Sequence, residues 1–439
     1  MLVSNNKNSI TPFAVTDYRH LRKRFGIKEK DRLGHMHVIG KTGTGKSTLL
    51  KNLIAADIRN GNGLALIDPH GDLAEDVLDL VPEERVEDVI YFNPQDLEYP
   101  TAFNLLERAT PYSHYLIVSG LISVFKKVWA DFWGPRLEHI LRNALFTLLE
   151  YPQSTLLDLP TLLTDKDFRK SVVGRINHQQ VREFWLFEFE KYSAWLKAEA
   201  TAPILNKIGQ FLSSTPLRNI VGQQENSFRI RKAMDEGKIL IVNLSKGKLG
   251  EDNAAILGAL LVTRIQLAAL SRANIPEKDR RPFYLYVDEF HNFITSSFTD
   301  SLSETRKYGL GLVLANQYIF QLDENVRESI FGNVGTIISF RVGAEDAKRL
   351  ALEFNGVIEQ RDLVSLENHH IVLKLMIDGA SSEAFSAITL PPPQPKHSFR
   401  EQIIANSRAK YCKPRKIVER EILLRSIPPN MPTAQKLPL

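Results

Sequence analysis

Eight consecutive residues, Gly40-Lys41-Thr42-Gly43-Thr44-Gly45-Lys46-Ser47, fit the spacing G-x-x-x-x-G-K-[ST]. The chemistry that this spacing serves is capture of a polyphosphate. The glycines let the backbone curl so that its N–H groups face phosphate oxygens, the lysine ammonium reaches the β- and γ-phosphates, and the serine hydroxyl ligates Mg2+. An apolar stretch precedes the loop and a helical pattern follows it, so the positive end of a helix adds to the attraction. Gly40, Thr42, Gly43, Thr44, Gly45, Lys46, Ser47 and Thr48 are therefore the candidate contacts to ATP.

A phosphate loop that hydrolyses its ligand needs a second source of carboxylate. The run "FYLYVDEF" (283–290) supplies one, because an apolar strand ends in Asp288-Glu289. Asp288 suits Mg2+ through its water shell, and Glu289 suits polarisation of the attacking water. The next apolar run ends in Asn316-Gln317, where an amide can sense the γ-phosphate or shape a turn. Between the two runs lies "SETRKYGLG", with Arg306 and Lys307; a guanidinium there can act as an arginine finger on a neighbouring subunit or serve as a surface ion-pair partner. Arg341, at the end of "IISFR", is a second candidate for the same work and is counted among the candidate contacts to the nucleotide. Asp68, in "IDPHGD", either orders Mg2+-bound water or shapes a turn, and Asp72 reads as a turn residue. The histidines show no metal-ligand spacing, so no metal beyond nucleotide-bound Mg2+ is expected.

Strands must hold these groups at one end. Apolar runs at 35–40, 64–67, 86–94, 238–244, 283–290, 310–317, 335–341 and 371–377 alternate with helical patterns, which indicates a parallel-rich α/β sheet. From 111 to 235 the spacing is helical throughout. The expected organisation is a basic lead-in (1–33), the first part of a nucleotide-binding core (34–110), an all-α insertion (111–235), the second part of the core (236–390) and a Pro-rich basic tail (391–439) read as extended. The aromatic run "FWLFEFEKYSAWL" (184–196) reads as packing rather than a base-stacking platform.

Composition bounds the rest. At 43% hydrophobic and 24% charged, the chain resembles an ordinary globular protein with material for a sizeable core. The single cysteine, Cys412, excludes an internal disulfide and fits a reducing cytosol. The run 110–125 is too short and too polar to span a bilayer and reads as a buried helix. Residues 1–37 carry 8 Lys/Arg against 3 Asp/Glu and residues 391–439 carry 10 against 3, so basic ends flank a net acidic body. Such ends suit a polyanion, or are solvated tails.

The runs "RFGIKEKDRLGHMHVIGKTGTGKSTLLKNLI", "ALIDPHGDLAEDVL", "YVDEFHNF", "GLGLVLANQY" and "ISFRVGAEDA", in this order and with a helical insertion after the second, closely resemble the TraD/TraG-like coupling proteins of type IV secretion, in the HerA–FtsK branch of RecA-like P-loop ATPases. The resemblance covers roughly residues 20–390. It implies a homo-hexameric ring, ATP between subunits and DNA in a central channel. It matches Glu289 to the family's catalytic carboxylate, Gln317 to its glutamine after the Walker B strand and Arg306 to its trans-acting arginine, and it points the all-α domain at the relaxosome or substrate side. Family members usually carry N-terminal transmembrane helices, whereas this sequence reaches Gly40 without one. A cytoplasmic protein, peripheral at the inner membrane through a partner, is the expectation. The expected function is an ATP-driven DNA translocase working with a secretion channel; the alternatives are a soluble HerA-like motor with a nuclease partner, or a protein-secretion ATPase that does not grip DNA.

Overall fold

The computed structural model describes residues 9–17, 22–107, 114–299 and 302–426. It divides into two units, one of residues 1–92 and 230–406, the other of residues 93–229 and 407–439.

The first unit is built on one sheet. Its strands are β1 (Ile10–Thr16), β2 (Arg24–Lys28), β3 (Met36–Ile39), β4 (Gly63–Asp68), β5 (Val89–Phe92), β6 (Ile239–Asn243), β7 (Phe283–Val287), β8 (Leu310–Asn316), β9 (Thr336–Ser339), β10 (His370–Lys374) and, after a small hairpin of β11 (Met376–Ile377) and β12 (Ala380–Ser381), β13 (Phe385–Thr389). The order across the sheet is β2-β1-β13-β10-β9-β3-β8-β7-β4-β6-β5. From β9 to β5 every pairing is parallel, while β10, β13, β1 and β2 add antiparallel strands at one side. Strands β3, β4, β6, β7, β8 and β9 are buried along their whole length, as expected where both faces of a parallel sheet are covered.

The helix Lys46–Arg59 covers one face with Leu49, Leu50, Leu53, Ile54 and Ile58, an i, i+3/i+4 stripe that packs into the main core with Tyr284, Tyr286 and Val313. The helix Glu251–Leu270 is long and apolar enough to cross a membrane by composition, but it is a core element: Ile256, Leu257, Leu260, Leu261 and Ile265 are buried, and Gly258 leaves room for the Phe293 ring.

One buried contact ties this architecture together. Arg32, from the short helix Glu29–Arg32, and Asp57, from the helix after the phosphate loop, form an ion pair with no exposed side-chain surface. Arg32 Nη2 donates to Asp57 Oδ2 at 2.8 Å and to the Tyr286 hydroxyl at 2.7 Å, Tyr286 in turn donates to Asp57, and the guanidinium lies 3.8 Å over the Tyr284 ring. Burial opposes the charge on Arg32, but Asp57 and the two tyrosines more than offset it and hold its pKa well above the ordinary value.

Two expectations need correction. The lead-in is not separate from the core, because β1 and β2 complete the sheet. Pro12 and a bulge between Pro12 and Ala14 break the strand pattern in β1, and Gly26 in β2 is needed because a Cβ there would sit 2.0 Å from the Thr11 carbonyl oxygen. The tail is not simply extended. It holds the helices Arg400–Tyr411 and Arg415–Ser426, and part of its charge is used inside the protein. Arg400 pairs with Asp79, Arg408 with Asp96, Lys413 with Glu421, Arg415 with Glu419 and Arg425 with Asp158. Residues 427–439 lie outside the described residues.

The regular elements of the second unit are helices among its described residues, with one isolated antiparallel bridge between Thr101 and Cys412. The helices His114–Val128 and Pro135–Glu150 bury Ile117, Val118, Leu121, Phe125, Ile140, Leu141, Leu145 and Leu148. In the aromatic run Phe184, Trp185 and Phe189 are core, with Trp185 Nε1 donating to Thr147 Oγ1 at 2.7 Å, whereas Phe187 and Trp195 are exposed.

Removing one partner of a fully buried pair leaves an uncompensated charge, which costs about 3–5 kcal/mol. Asp57→Asn is expected to lower the unfolding free energy by that amount in urea titration; a loss under about 1 kcal/mol would show that the pair is solvated.

Candidate nucleotide site at the carboxyl edge of the sheet

In-register parallel pairing sets the carboxyl ends of β3, β8 and β7 side by side, with Ile39 opposite Asn316 and Val287 opposite Leu314. Everything that follows these three strands is therefore delivered to one edge.

After β3 the chain curls through Gly40–Gly45. Gly43 (φ +76°) and Gly45 (φ +122°) adopt backbone that side chains rarely take, and a Cβ on Gly40 would meet Phe340 Cβ at 2.5 Å. Thr44 closes the turn by donating its hydroxyl to the Lys41 carbonyl at 2.7 Å. No side chain caps the helix that starts at Lys46, so its first N–H groups are left for an anion. Thr42, Gly43 and Ser47 are exposed and Thr48 is half-buried. Lys46 folds over the loop, donating to the Gly40 carbonyl at 2.5 Å and the Lys41 carbonyl at 3.3 Å. Burial lowers its pKa, against the opposing pull of Glu289 and Asp288.

After β7, Asp288 donates its N–H to the Ile67 carbonyl at 3.1 Å, and its Oδ1 accepts the Glu289 N–H at 3.0 Å. Burial, then the neighbouring charges of Glu289 and Asp68, push the Asp288 carboxyl up to about 7, with Lys46 pulling the other way. Glu289 is a non-glycine residue at φ +46°, a strained backbone of the kind found at functional sites. Its Oε1 accepts a hydrogen bond from Gln317 Nε2 at 2.8 Å, while its buried Oε2 has no hydrogen-bond partner among the described residues. Crowded carboxylates, an orphaned oxygen and a lysine beside uncapped amides fit Mg2+-bound polyphosphate: the cation would relieve Asp288, and the phosphates would take Lys46 from the carbonyls.

The structure thus brings together Gly40–Thr48, Asp288, Glu289 and Gln317. Asn316 is structural: its Oδ1 accepts from His37 Nε2 at 2.8 Å and its Nδ2 donates to the Tyr318 carbonyl at 2.7 Å. Asp68 shapes a turn, accepting from the His70 and Ala74 N–H groups at 2.8 and 2.9 Å, and acts on Asp288 only by its charge. Asp72 is exposed in the first turn of the helix Asp72–Asp79. Arg306 is not at this edge. It is exposed, in the turn Arg306–Tyr308 before β8, and the seven residues of β8 put about 23 Å between it and the loop. Arg341 is on the chain's own loop: its carbonyl accepts the Lys41 N–H at 2.9 Å, and its guanidinium donates to the Leu366 carbonyl and Asn368 Oδ1 at 3.1 and 3.0 Å. Arg341 therefore lies beside its own loop, tied to the 366–368 turn.

Residues 26–369 match the family model of the type IV secretion-system coupling protein DNA-binding domain. The chain belongs to this family. Among solved structures, it is similar to the unbound monoclinic form of the bacterial conjugative coupling protein TrwBdeltaN70, with 18% identity, a TM-score of 0.62 and coverage of 85% of this chain and 88% of that one. It is also similar to the plasmid coupling protein TrwB in complex with ADP and Mg2+, with 17% identity, a TM-score of 0.60 and coverage of 89% and 97%. VirB4 of Thermoanaerobacter pseudethanolicus aligns at 14% identity with a TM-score of 0.54 over 90% of this chain and 99% of that one. Comparison with curated proteins gives no match. These likenesses establish the coupling-protein fold, a RecA-like P-loop core.

Three residues of this coupling-protein site escape a motif search. His291 Nδ1 lies 3.5 Å from Glu289 Oε2, and Asn292 Nδ2 donates to the Glu289 carbonyl at 2.8 Å. Their adjacency in "DEFHNF" is the available signal. His37 acts through β8, across 279 residues of sequence, and leaves no local mark.

His37 and His35 give the fold a pH dependence. His35 Nδ1 accepts the Leu312 N–H at 3.2 Å, so its neutral form is the one that fits. Burial lowers both imidazoles to about 4 from an ordinary value of 6.5. With the folded pKa depressed, stability is fully present above pH 6.5 and is lost as the unfolded imidazoles take up protons on the way down to pH 4. The expected loss is roughly 3 kcal/mol per histidine in urea titrations across that window, and His37→Gln should flatten the curve. An unchanged curve would show that His37 takes up its proton as readily in the folded protein as in the unfolded one.

Proposed function

We propose that this chain is the motor subunit of an ATP-hydrolysing, ring-forming DNA translocase of the coupling-protein type, homo-hexameric, with nucleotide bound between subunits. The observation that carries this reading is the Gln317–Glu289 hydrogen bond, which joins the ends of two strands into one polar cluster facing the phosphate loop.

Bound ATP and Mg2+ would supply a labile γ-phosphoryl group and a Lewis acid. Lys46 and the loop amides hold the phosphate oxygens. Ser47 and Asp288 hold the metal. Glu289 accepts the proton of the attacking water, and Gln317 orients Glu289. The exposed Arg306, too far from its own loop to serve it, reaches the γ-phosphate of a neighbouring subunit. A route from chemistry to cargo also follows. Lys246 Nζ donates to Asn292 Oδ1 at 3.1 Å, and Asn292 holds the Glu289 carbonyl, so a displacement of Glu289 would be felt at the helical turn Lys246–Leu249, which carries the exposed Lys248. Lys248 on a DNA phosphate would make a sequence-tolerant, salt-sensitive grip. A secretion channel and a relaxosome are the proposed partners, reached from the cytoplasmic side of the inner membrane.

ATPase rates with no DNA, single-stranded DNA and duplex DNA, with particle size measured on the same sample, test this directly. Stimulation by DNA together with a ring-sized particle is expected, whereas a rate indifferent to both DNAs would favour a protein-secretion ATPase. Lys46→Ala and Glu289→Gln should each cut turnover by at least about 100-fold, with Glu289→Gln still binding ATP; normal turnover in either refutes the site. Arg306→Ala should lose hydrolysis alone but regain it in mixed rings in which a normal neighbour supplies the arginine. Full activity of the pure Arg306→Ala ring would remove it as the finger.

A further inference from the structure

The hydrolytic groups all lie to one side of the phosphate loop. β8 and β7, which end in Gln317 and Asp288-Glu289, follow β3 in one direction across the sheet, while β9 and β10 follow it in the other. A nucleoside triphosphate with its terminal phosphate among Lys46, Asp288 and Glu289 therefore has its nucleoside end toward β9 and β10. What the chain offers there is Arg341 and the turn 366–369 that leads into β10.

That turn is fastened to the loop itself. The His369 N–H donates to the Thr44 carbonyl at 2.8 Å, and the His369 carbonyl accepts the Thr389 N–H at 2.9 Å. Between these two bonds His369 is held at φ +68°, left-handed backbone that a non-glycine residue keeps only when its surroundings impose it. The consequence is a side chain placed over the loop: a Cβ built on Gly45 would come within 2.8 Å of His369 Nδ1. The imidazole is exposed. Beside it, Asn368 Oδ1 accepts from Arg341 Nη2 at 3.0 Å, which fixes the amide and turns its two N–H donors outward.

A planar ring against the loop, a fixed pair of amide donors and a guanidinium match one kind of ligand fragment. It has a flat aromatic face and acceptor atoms at its edge, and it is joined to an anion. We propose that Asn368 and His369, with Arg341, form the nucleoside subsite and take a purine ring and its ribose, His369 by stacking and Asn368 by donating hydrogen bonds. This rests on the reading of the loop as a nucleotide site. Strain at His369 is maintained because it sets the ring where the base lies.

The test compares ATP with inorganic tripolyphosphate, which has the anion but no nucleoside, both with Mg2+ and both read by calorimetric binding. Stacking of one base on one ring accounts for about a tenfold change in Kd. His369→Gly, which also relieves the backbone, should weaken ATP about tenfold and leave tripolyphosphate within twofold of the unchanged protein. His369→Phe, which keeps a planar face, should retain most ATP affinity, and Asn368→Ala should weaken ATP severalfold without affecting tripolyphosphate. Equal weakening of both ligands in His369→Gly would make His369 a support for the loop and overturn the proposal, as would an unaltered ATP affinity. If the unchanged protein binds neither ligand, the nucleotide reading itself fails, and this inference with it.

Discussion

The buried pair of Arg32 and Asp57 is the constraint on which the geometry of the nucleotide site depends. Asp57 sits near the end of the helix that begins at Lys46, and Arg32 is bonded both to it and to Tyr286 of the strand that ends at Asp288. The two halves of the site come from segments about 240 residues apart in sequence. Hydrophobic packing alone holds them in contact but permits sliding, since one apolar surface packs on another in many registers. A bidentate ion pair capped by a hydroxyl permits one register only. Such a pair adds little net stability over an apolar substitute; what it adds here is a fixed distance between ammonium and carboxylate.

The parallel sheet then separates two kinds of chemistry. Carboxyl ends collect the loop, Asp288, Glu289 and Gln317, and amino ends collect what precedes each strand, including Arg306 before β8. The turn that bears Arg306 is itself rigid. Arg272 Nη1 donates to the Tyr308 carbonyl at 3.0 Å while its Nε pairs with Asp235 at 2.9 Å, and Arg280 donates to the Lys307 carbonyl. On the proposed reading, an exposed guanidinium on a braced turn, at the wrong edge for its own loop, would complete a site only in a second copy of the chain. Ring formation and hydrolysis would then be one requirement rather than two.

Much of this was legible in the sequence, and the reason is locality. The phosphate loop is eight contiguous residues, Asp288-Glu289 and Gln317 each end a fully buried strand, and such strands show as unbroken apolar runs. What was not legible depends on partners far away in the chain. β1 carries a proline and a bulge and β2 a glycine and charges, so neither looks like sheet until β13 and β1 are set beside each other. The charge of the tail, open in the sequence between a polyanion partner and a solvated segment, is partly matched by Asp79, Asp96 and Asp158, which no local count includes. The nearness of Arg341 to the loop depends on β9 lying next to β3, which no local pattern reveals. His369 is the sharpest case, since its significance lies in a backbone angle imposed by Thr44 and Thr389.

The site also holds unfavourable terms that a ligand would remove. Asp288 is pushed to about 7 by burial and by two neighbouring carboxylates, Glu289 keeps a left-handed backbone and an unbonded oxygen, and Lys46 spends its ammonium on carbonyls of its own loop. Each term disfavours the free state relative to one in which a divalent cation and phosphates stand among these groups. Binding of such a ligand would then draw partly on relief of strain within the subunit. The Glu289 carbonyl is also joined through Asn292 to Lys246, so on the proposed reading a rearrangement at Glu289 would bear on the helical turn Lys246–Leu249 rather than stay at the edge of the sheet.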